Sequence, residues 1–255
     1  MAVDNQTIEL LINKANFPKA ALYNRVIAKE AIYKAGHIGI PDQKLITNNV
    51  KQINWLFVIK TSNSNIPEYI GTEDFSVREL DYIHVELKEA EYREKIAAII
   101  LKSIPKVSIV ELVWNDTDGA EYHQWVLADY GSKKRTENLV SAQKFHHSAE
   151  VLVDDINEFM EILRFDNVVI SNLKALYKNW ISKIEKYNFS KRVSGLIDND
   201  TDFEQKNKEI LELELKIRRL TTAAQKEKQL NKRMKLTAEI RKLKLQLKGI
   251  IDPHK

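Results

Sequence analysis

The sequence predicts an α+β protein: a small mixed α/β N-terminal domain with a mostly antiparallel sheet, then a helical segment, then a C-terminal coiled coil. Three observations carry this. Short aromatic and β-branched runs, such as Ile53 to Lys60 and Val107 to Trp114, punctuate the first part of the chain. From Asp154 onward apolar residues recur at helical spacing. No proline or glycine lies between Gly195 and Gly249, where good helix formers dominate.

Within residues 1–150, Thr7 to Asn13 predicts a short apolar helix. Phe17-Pro18-Lys19 punctuates the chain. Ala20 to Lys34 then reads as a helix with Leu22, Val26, Ile27 and Ala31 inward, broken by Gly36, Gly39 and Pro41. Asp42 caps a further helix running into Val50. Ile53 to Lys60 is a buried strand, and Thr61 to Ile66 a polar loop. Leu80 to Leu87 alternates, with Tyr82, His84 and Glu86 on one face, which predicts a half-buried strand. Lys88 to Ser103 is an amphipathic helix ended by Pro105. Val107 to Trp114 and Tyr122 to Tyr130 form a hairpin around the turn Asn115 to Ala120. Leu139 to His146 adds an edge strand.

Residues 151–190 form the helical segment. Phe159, Ile162, Leu163, Leu173, Leu176, Tyr177, Trp180, Ile181 and Ile184 make its inward stripe. Lys191 to Asp200 is a linker. Residues 201–251 form a basic coiled-coil helix or helical hairpin. Ile210, Leu213, Ile217, Leu220 and Ala224 alternate by three and four, as do Leu236, Ile240, Leu243, Leu247 and Ile250. The two runs are out of register, because the seam between them falls on Glu227 and Asn231. One long helix of roughly 70 Å with a slipped seam fits this, and so do two antiparallel helices.

The charge is lopsided. From Gln225 to Lys248 nine basic residues face two acidic ones, a net of +7 in a chain whose total is +4. Lys228, Lys232 and Lys235 recur by four and three, as on one helical face. Arg233, Arg241, Lys242 and Lys244 extend the charge. Such a stretch suits a phosphate backbone or an acidic partner; the plainer reading is a solvated outer face.

Composition bounds the rest. Apolar content of 44% supports a real core, and 7 Gly with 5 Pro argue against a loop-rich chain. The absence of cysteine excludes disulfides, a thiol nucleophile and thiolate metal sites, and fits a cytoplasmic protein. The first residues lack a signal-peptide pattern, and no apolar run is long enough to span a membrane.

Catalytic signatures are sparse. No nucleotide-binding glycine pattern and no nucleophile elbow occur. His146 and His147 are adjacent, so on a strand they face opposite ways and suit one metal poorly. One loose pattern remains: Glu68, then Glu86-Leu87-Lys88, as in restriction-type nucleases. There two carboxylates hold Mg²⁺ against the scissile phosphate and the lysine activates water. The pattern arises readily by chance in a chain that is 30% charged.

Several stretches together resemble a known family. They are Phe17-Pro18-Lys19, Val50-Lys51-Gln52-Ile53-Asn54-Trp55-Leu56, Asn65-Ile66, Leu87-Lys88, Ile104-Pro105 and Glu227-Lys228-Gln229-Leu230-Asn231-Lys232-Arg233-Met234. In this order and spacing the chain is similar to the bacterial and archaeal domain of unknown function 4391 family, over about residues 15–248. It departs from that pattern after Pro41 and around Lys133-Lys134-Arg135. The family has no established catalytic residues to carry over, and no cofactor is expected beyond Mg²⁺ under the nuclease alternative. The resemblance implies a context: genes beside superfamily 2 helicases and DNA methyltransferases in restriction-like anti-phage defence loci. The expectation is therefore a non-catalytic accessory subunit whose basic C-terminal stretch docks onto a helicase or methyltransferase of its locus, or onto DNA. The alternatives are a Mg²⁺-dependent nuclease and a homo-oligomer held by the coiled coil.

Overall fold

The computed structural model describes residues 3, 5–71, 75–132, 140–165, 170–193 and 200–251. The Lys133-Lys134-Arg135 tract and most of the Lys191 to Asp200 linker lie outside them. The chain divides into two compact units, Met1–Glu185 and Lys186–Lys255.

The first unit is built on one sheet in the spatial order β1 to β6. Its strands are β1 (Leu22–Val26), β2 (Val50–Lys60), β3 (Glu79–Leu87), β4 (Val107–Asn115), β5 (Glu121–Ser132) and β6 (Val140–His147), with a short β7 (Val151–Leu152) beside β5. All pairings are antiparallel except β3 with β4. That pair is parallel because α5 (Arg93–Ser103) carries the chain back across the sheet between them, as a parallel connection requires. The expected hairpin joins β4 to β5. Gly119 sits at φ +86 in its turn, a conformation glycine adopts without strain.

Each face of the sheet is covered. Ile83, Val85, Leu87, Val110, Leu112 and Val126 point to a core shared with α2 (Lys29–Ala35), α3 (Ile40–Asn49) and α5, through Ile32, Ile46, Ile96 and Ile100. The opposite face is aromatic. Phe17 meets Phe57, Tyr82 and Phe165 edge-on and stacks on Trp180, and Trp125 stacks on Phe159. Phe159 comes from α6 (Ile156–Met160) and Trp180 from α7 (Leu173–Arg192). Buried rings of this size supply much of the apolar area that stabilises the unit.

The expected first helix forms as α1 (Asn5–Asn13), while several other elements differ from the sequence reading. Ala20 to Lys34 is not one helix. A 3₁₀ turn at Lys19–Ala21 leads into strand β1, and α2 begins only at Lys29. Leu22 opposes Phe57 and Val26 opposes Asn54, so sheet pairing overrides helix propensity. The pairing is irregular between Leu22 and Arg25, where Asn24 takes φ +41. Helix α3 starts at Ile40, with Pro41 in its first turn, where a missing N–H costs nothing. Thr61–Ser64 forms a single helical turn, α4, rather than a loop. Strand β3 is buried on both faces rather than half-buried, because Tyr82 and His84 face the aromatic layer's side.

Helices α8 (Asp200–Lys226) and α9 (Leu230–Ile251) pack against each other in the second unit. Among the described residues no helix is long and apolar enough to cross a membrane.

Candidate functional site

Of the two continuations open at Glu227, the chain takes the turn. It leaves α8 after Lys226 and enters α9 at Leu230, and the Gln229 N–H donates to Glu227 Oε1 at 2.8 Å. The seam residues Leu213, Ile217 and Leu220 of α8 and Leu236, Ile240, Leu243 and Leu247 of α9 are half-buried or buried, Leu243 most deeply. At the open end Phe189, Phe203 and Ile210 cluster, and Leu247, Ile250 and Ile251 pack on them. Lys216 of α8 meets Glu239 of α9 at 3.7 Å, a surface ion pair that matches the antiparallel register but adds little stability.

Charge separates between the two helices. Along α8 acids and bases balance. On α9 seven basic residues stand against one acid, Glu239. Lys228, Lys232, Arg233, Lys235, Arg241, Lys242, Lys244 and Lys248 are all exposed. Lys228 falls in the turn, so the expected single helical face of Lys228, Lys232 and Lys235 is reduced to Lys232 and Lys235. The cations flank the seam and are not consumed by it.

The nuclease pattern is spread along β3. Glu68 lies 4.0 Å from Arg78, just before the strand begins. Glu86 is seven residues beyond Glu79, near the far end, roughly 23 Å away at strand rise. The Lys88 backbone N–H donates to Asn49 O there. The fold thus brings Glu86 near Lys88 and leaves Glu68 at the opposite end. Among the described residues, no three His, Asp or Glu side chains are grouped to hold a metal ion.

Sequence reading missed a polar ladder across β3, β4 and β5. Glu111 is fully buried, and its two oxygens lie 2.8 Å from His84 Nδ1 and 2.8 Å from His123 Nδ1. The ladder ends at half-exposed carboxylates: Glu121 is 3.2 Å from His123 Nε2, and Glu86 is 4.0 Å from His84 Nε2. Burial opposes ionisation of Glu111, yet His84 and the imidazole hydrogen bonds outweigh it and hold the carboxyl far below its usual range. Burial likewise disfavours the His123 imidazolium, but hydrogen bonds to Glu111 and Glu121 push its pKa up to about 9. The available signal was the lone Glu111 inside the apolar run Val107 to Trp114.

A second buried group lies near the other end of β3. Asp81 is fully buried, and neither of its oxygens reaches a hydrogen-bond partner. The Trp55 indole N–H faces it without forming a bond of normal geometry. Burial pushes the Asp81 carboxyl up to about 7, against the pull of Lys106. Lys106 lies over the Trp55 ring, 4.7 Å from its centroid, and pairs with Glu79, which also holds Lys60 at 2.9 Å. A cavity of about 270 Å³ opens beside this group, walled by Tyr23, Trp55, Lys60, Glu79 and Lys106.

Comparison with known proteins gives one assignment. The model of a domain of unknown function, DUF4391, matches residues 16–247. Neither a curated protein nor a solved structure gives a significant match.

Proposed function

The chain belongs to the DUF4391 family, and from that premise we propose that it is a non-catalytic accessory subunit of a restriction-like anti-phage defence system in the cytoplasm. In this reading the α8–α9 hairpin is a coiled-coil docking arm. It binds the helicase or DNA methyltransferase of the same locus, and duplex DNA is the other polyanion its cations would attract.

The exposure of the α9 cations is the observation that carries the reading. The Lys216–Glu239 pair engages the helix's single acid, so α9 presents positive charge with little internal compensation. The seam is already covered within the chain, which favours a hetero-partner over self-pairing through Leu236, Ile240 and Leu243.

The test is co-purification of the tagged protein from its native host. A helicase or methyltransferase is expected with wild type, and is lost when Lys232, Arg233, Lys235, Arg241, Lys242 and Lys244 become Gln. An unchanged complex after that substitution removes the basic arm as the docking element.

A further inference from the structure

Helix α9 has a second stripe, opposite the seam. At about 100° per residue, Leu230, Met234, Ala238, Arg241 and Leu245 fall on one outward face, about half a turn from Ile240, Leu243 and Leu247. Leu230, Met234 and Leu245 are 60%, 62% and 64% exposed, the most exposed large apolar side chains of the hairpin. Met234, Ala238, Arg241 and Leu245 keep the four, three, four spacing of a coiled-coil seam, with Arg241 adding a cation at one of its positions. The stripe is about 22 Å long.

Cations line both borders of this stripe. In a heptad frame set by Met234, Ala238, Arg241 and Leu245, the positions beside the seam are Lys235 and Lys242 on one side and Lys244 on the other, all exposed. Those positions choose a partner by charge. A second copy of α9 would set lysine against lysine and is disfavoured. A phosphate backbone satisfies the lysines but offers nothing to Leu230, Met234 and Leu245. An acidic helix with an apolar stripe satisfies both.

We propose that the outer face of α9 is a docking surface for an acidic amphipathic helix of another protein, with Leu230, Met234 and Leu245 as its apolar anchors and Lys235, Lys242 and Lys244 as its charge selectors. This rests on the basic-arm reading above and names the chemistry of the partner.

The experiment uses the purified full chain and three probes at low salt: a designed peptide with leucine at its seam and glutamate beside it, a polyglutamate of equal charge, and duplex DNA. The designed peptide should bind at least tenfold more tightly than polyglutamate. Met234→Gln with Leu245→Gln should abolish that excess, leave DNA retardation unchanged and leave the far-UV helix signal intact, since both sites are exposed. An excess that is absent, or that survives the double substitution, overturns the proposal. If polyglutamate and DNA still bind in a salt-dependent way, only the apolar docking surface has failed. If no probe binds, the basic-arm reading fails with it.

Discussion

Glu111 on β4 and His123 on β5 meet at 2.8 Å where neither is more than 2% exposed. A buried charge pair of this kind stabilises only while both partners keep their charge.

Its pH dependence follows from the shifts. The His123 pKa is raised from 6.5 to about 9, so its stabilisation is complete below pH 6.5 and is lost as pH rises through 9. The Glu111 carboxyl is depressed, so its stabilisation is present above its ordinary value near 4.5 and is lost as pH falls. The contribution of His123 to the unfolding free energy is therefore expected to drop by about 3 kcal/mol between pH 6.5 and 9. Glu111→Gln should cost roughly 3–5 kcal/mol at pH 7 and flatten the alkaline slope. Denaturant titrations across the pH range check both; a slope unchanged in the variant refutes the pairing.

Asp81 has the opposite sign. Its folded pKa is raised from 3.8 to about 7, so the unfolded chain releases this proton first and stability falls as pH rises from 3.8 to 7. Asp81→Asn keeps the shape and removes the charge that Lys106, Lys60 and Trp55 leave incompletely compensated. It is expected to stabilise the protein by a few kcal/mol at pH 8, with the gain shrinking toward pH 5. A destabilised variant at pH 8 would show that the ionised carboxyl has a partner.

Leu243 is 6% exposed in the hairpin seam, and Leu247 lies one turn away. Leu243→Asp with Leu247→Asp should open the α8–α9 packing, because burying each leucine is worth roughly 1.5–3 kcal/mol and a carboxylate there is unpaired. The far-UV helix signal and the melting temperature should both fall. An unchanged melt would mean that the seam contributes no packing.

If DNA is a ligand of the arm, its affinity must depend steeply on salt. Replacing Lys228, Lys232 and Lys235 by Gln should lower the log–log salt slope by about one unit for each phosphate that is no longer neutralised. Stability should barely change, since all three are exposed. A wild-type chain that does not retard duplex DNA even at low salt leaves the acidic protein partner alone.

Glu86 stands at the rim of the ladder, far from Glu68. Glu86→Ala should leave partner binding intact, and neither it nor wild type should cut DNA with Mg²⁺. Cleavage that the substitution abolishes would establish the nuclease reading.

Much of the first unit was legible because its signals are local. Ile53 to Lys60 and Val107 to Trp114 announce buried strands by composition, and the Asp- and Gly-rich turn announces the hairpin that follows Trp114. The hairpin of α8 and α9 was legible as one of two options, since a seam broken at Glu227 does not distinguish a slip from a turn. What stayed hidden was decided by neighbours distant in sequence. Leu22 to Val26 has helical spacing, yet Trp55 and Phe57 recruit it to the sheet. Alternation placed His84 and Glu86 on a polar face, which a lone sequence reads as solvent. Glu111 and His123, from two strands further along the chain, turn that face into a buried network.

Strand β1 ends the sheet with only five residues, and its ladder is broken between Leu22 and Arg25. Asn24 turns its backbone to φ +41, and its side-chain oxygen accepts from the Val3 N–H at 3.3 Å. Leu22, Tyr23 and Val26 are partly exposed along this strand, an apolar rim that would invite edge-to-edge pairing if its backbone groups were evenly spaced. The kink at Asn24 denies an incoming strand a continuous row of donors and acceptors. A kinked edge of this kind is a poorer template for edge-to-edge association than a regular one.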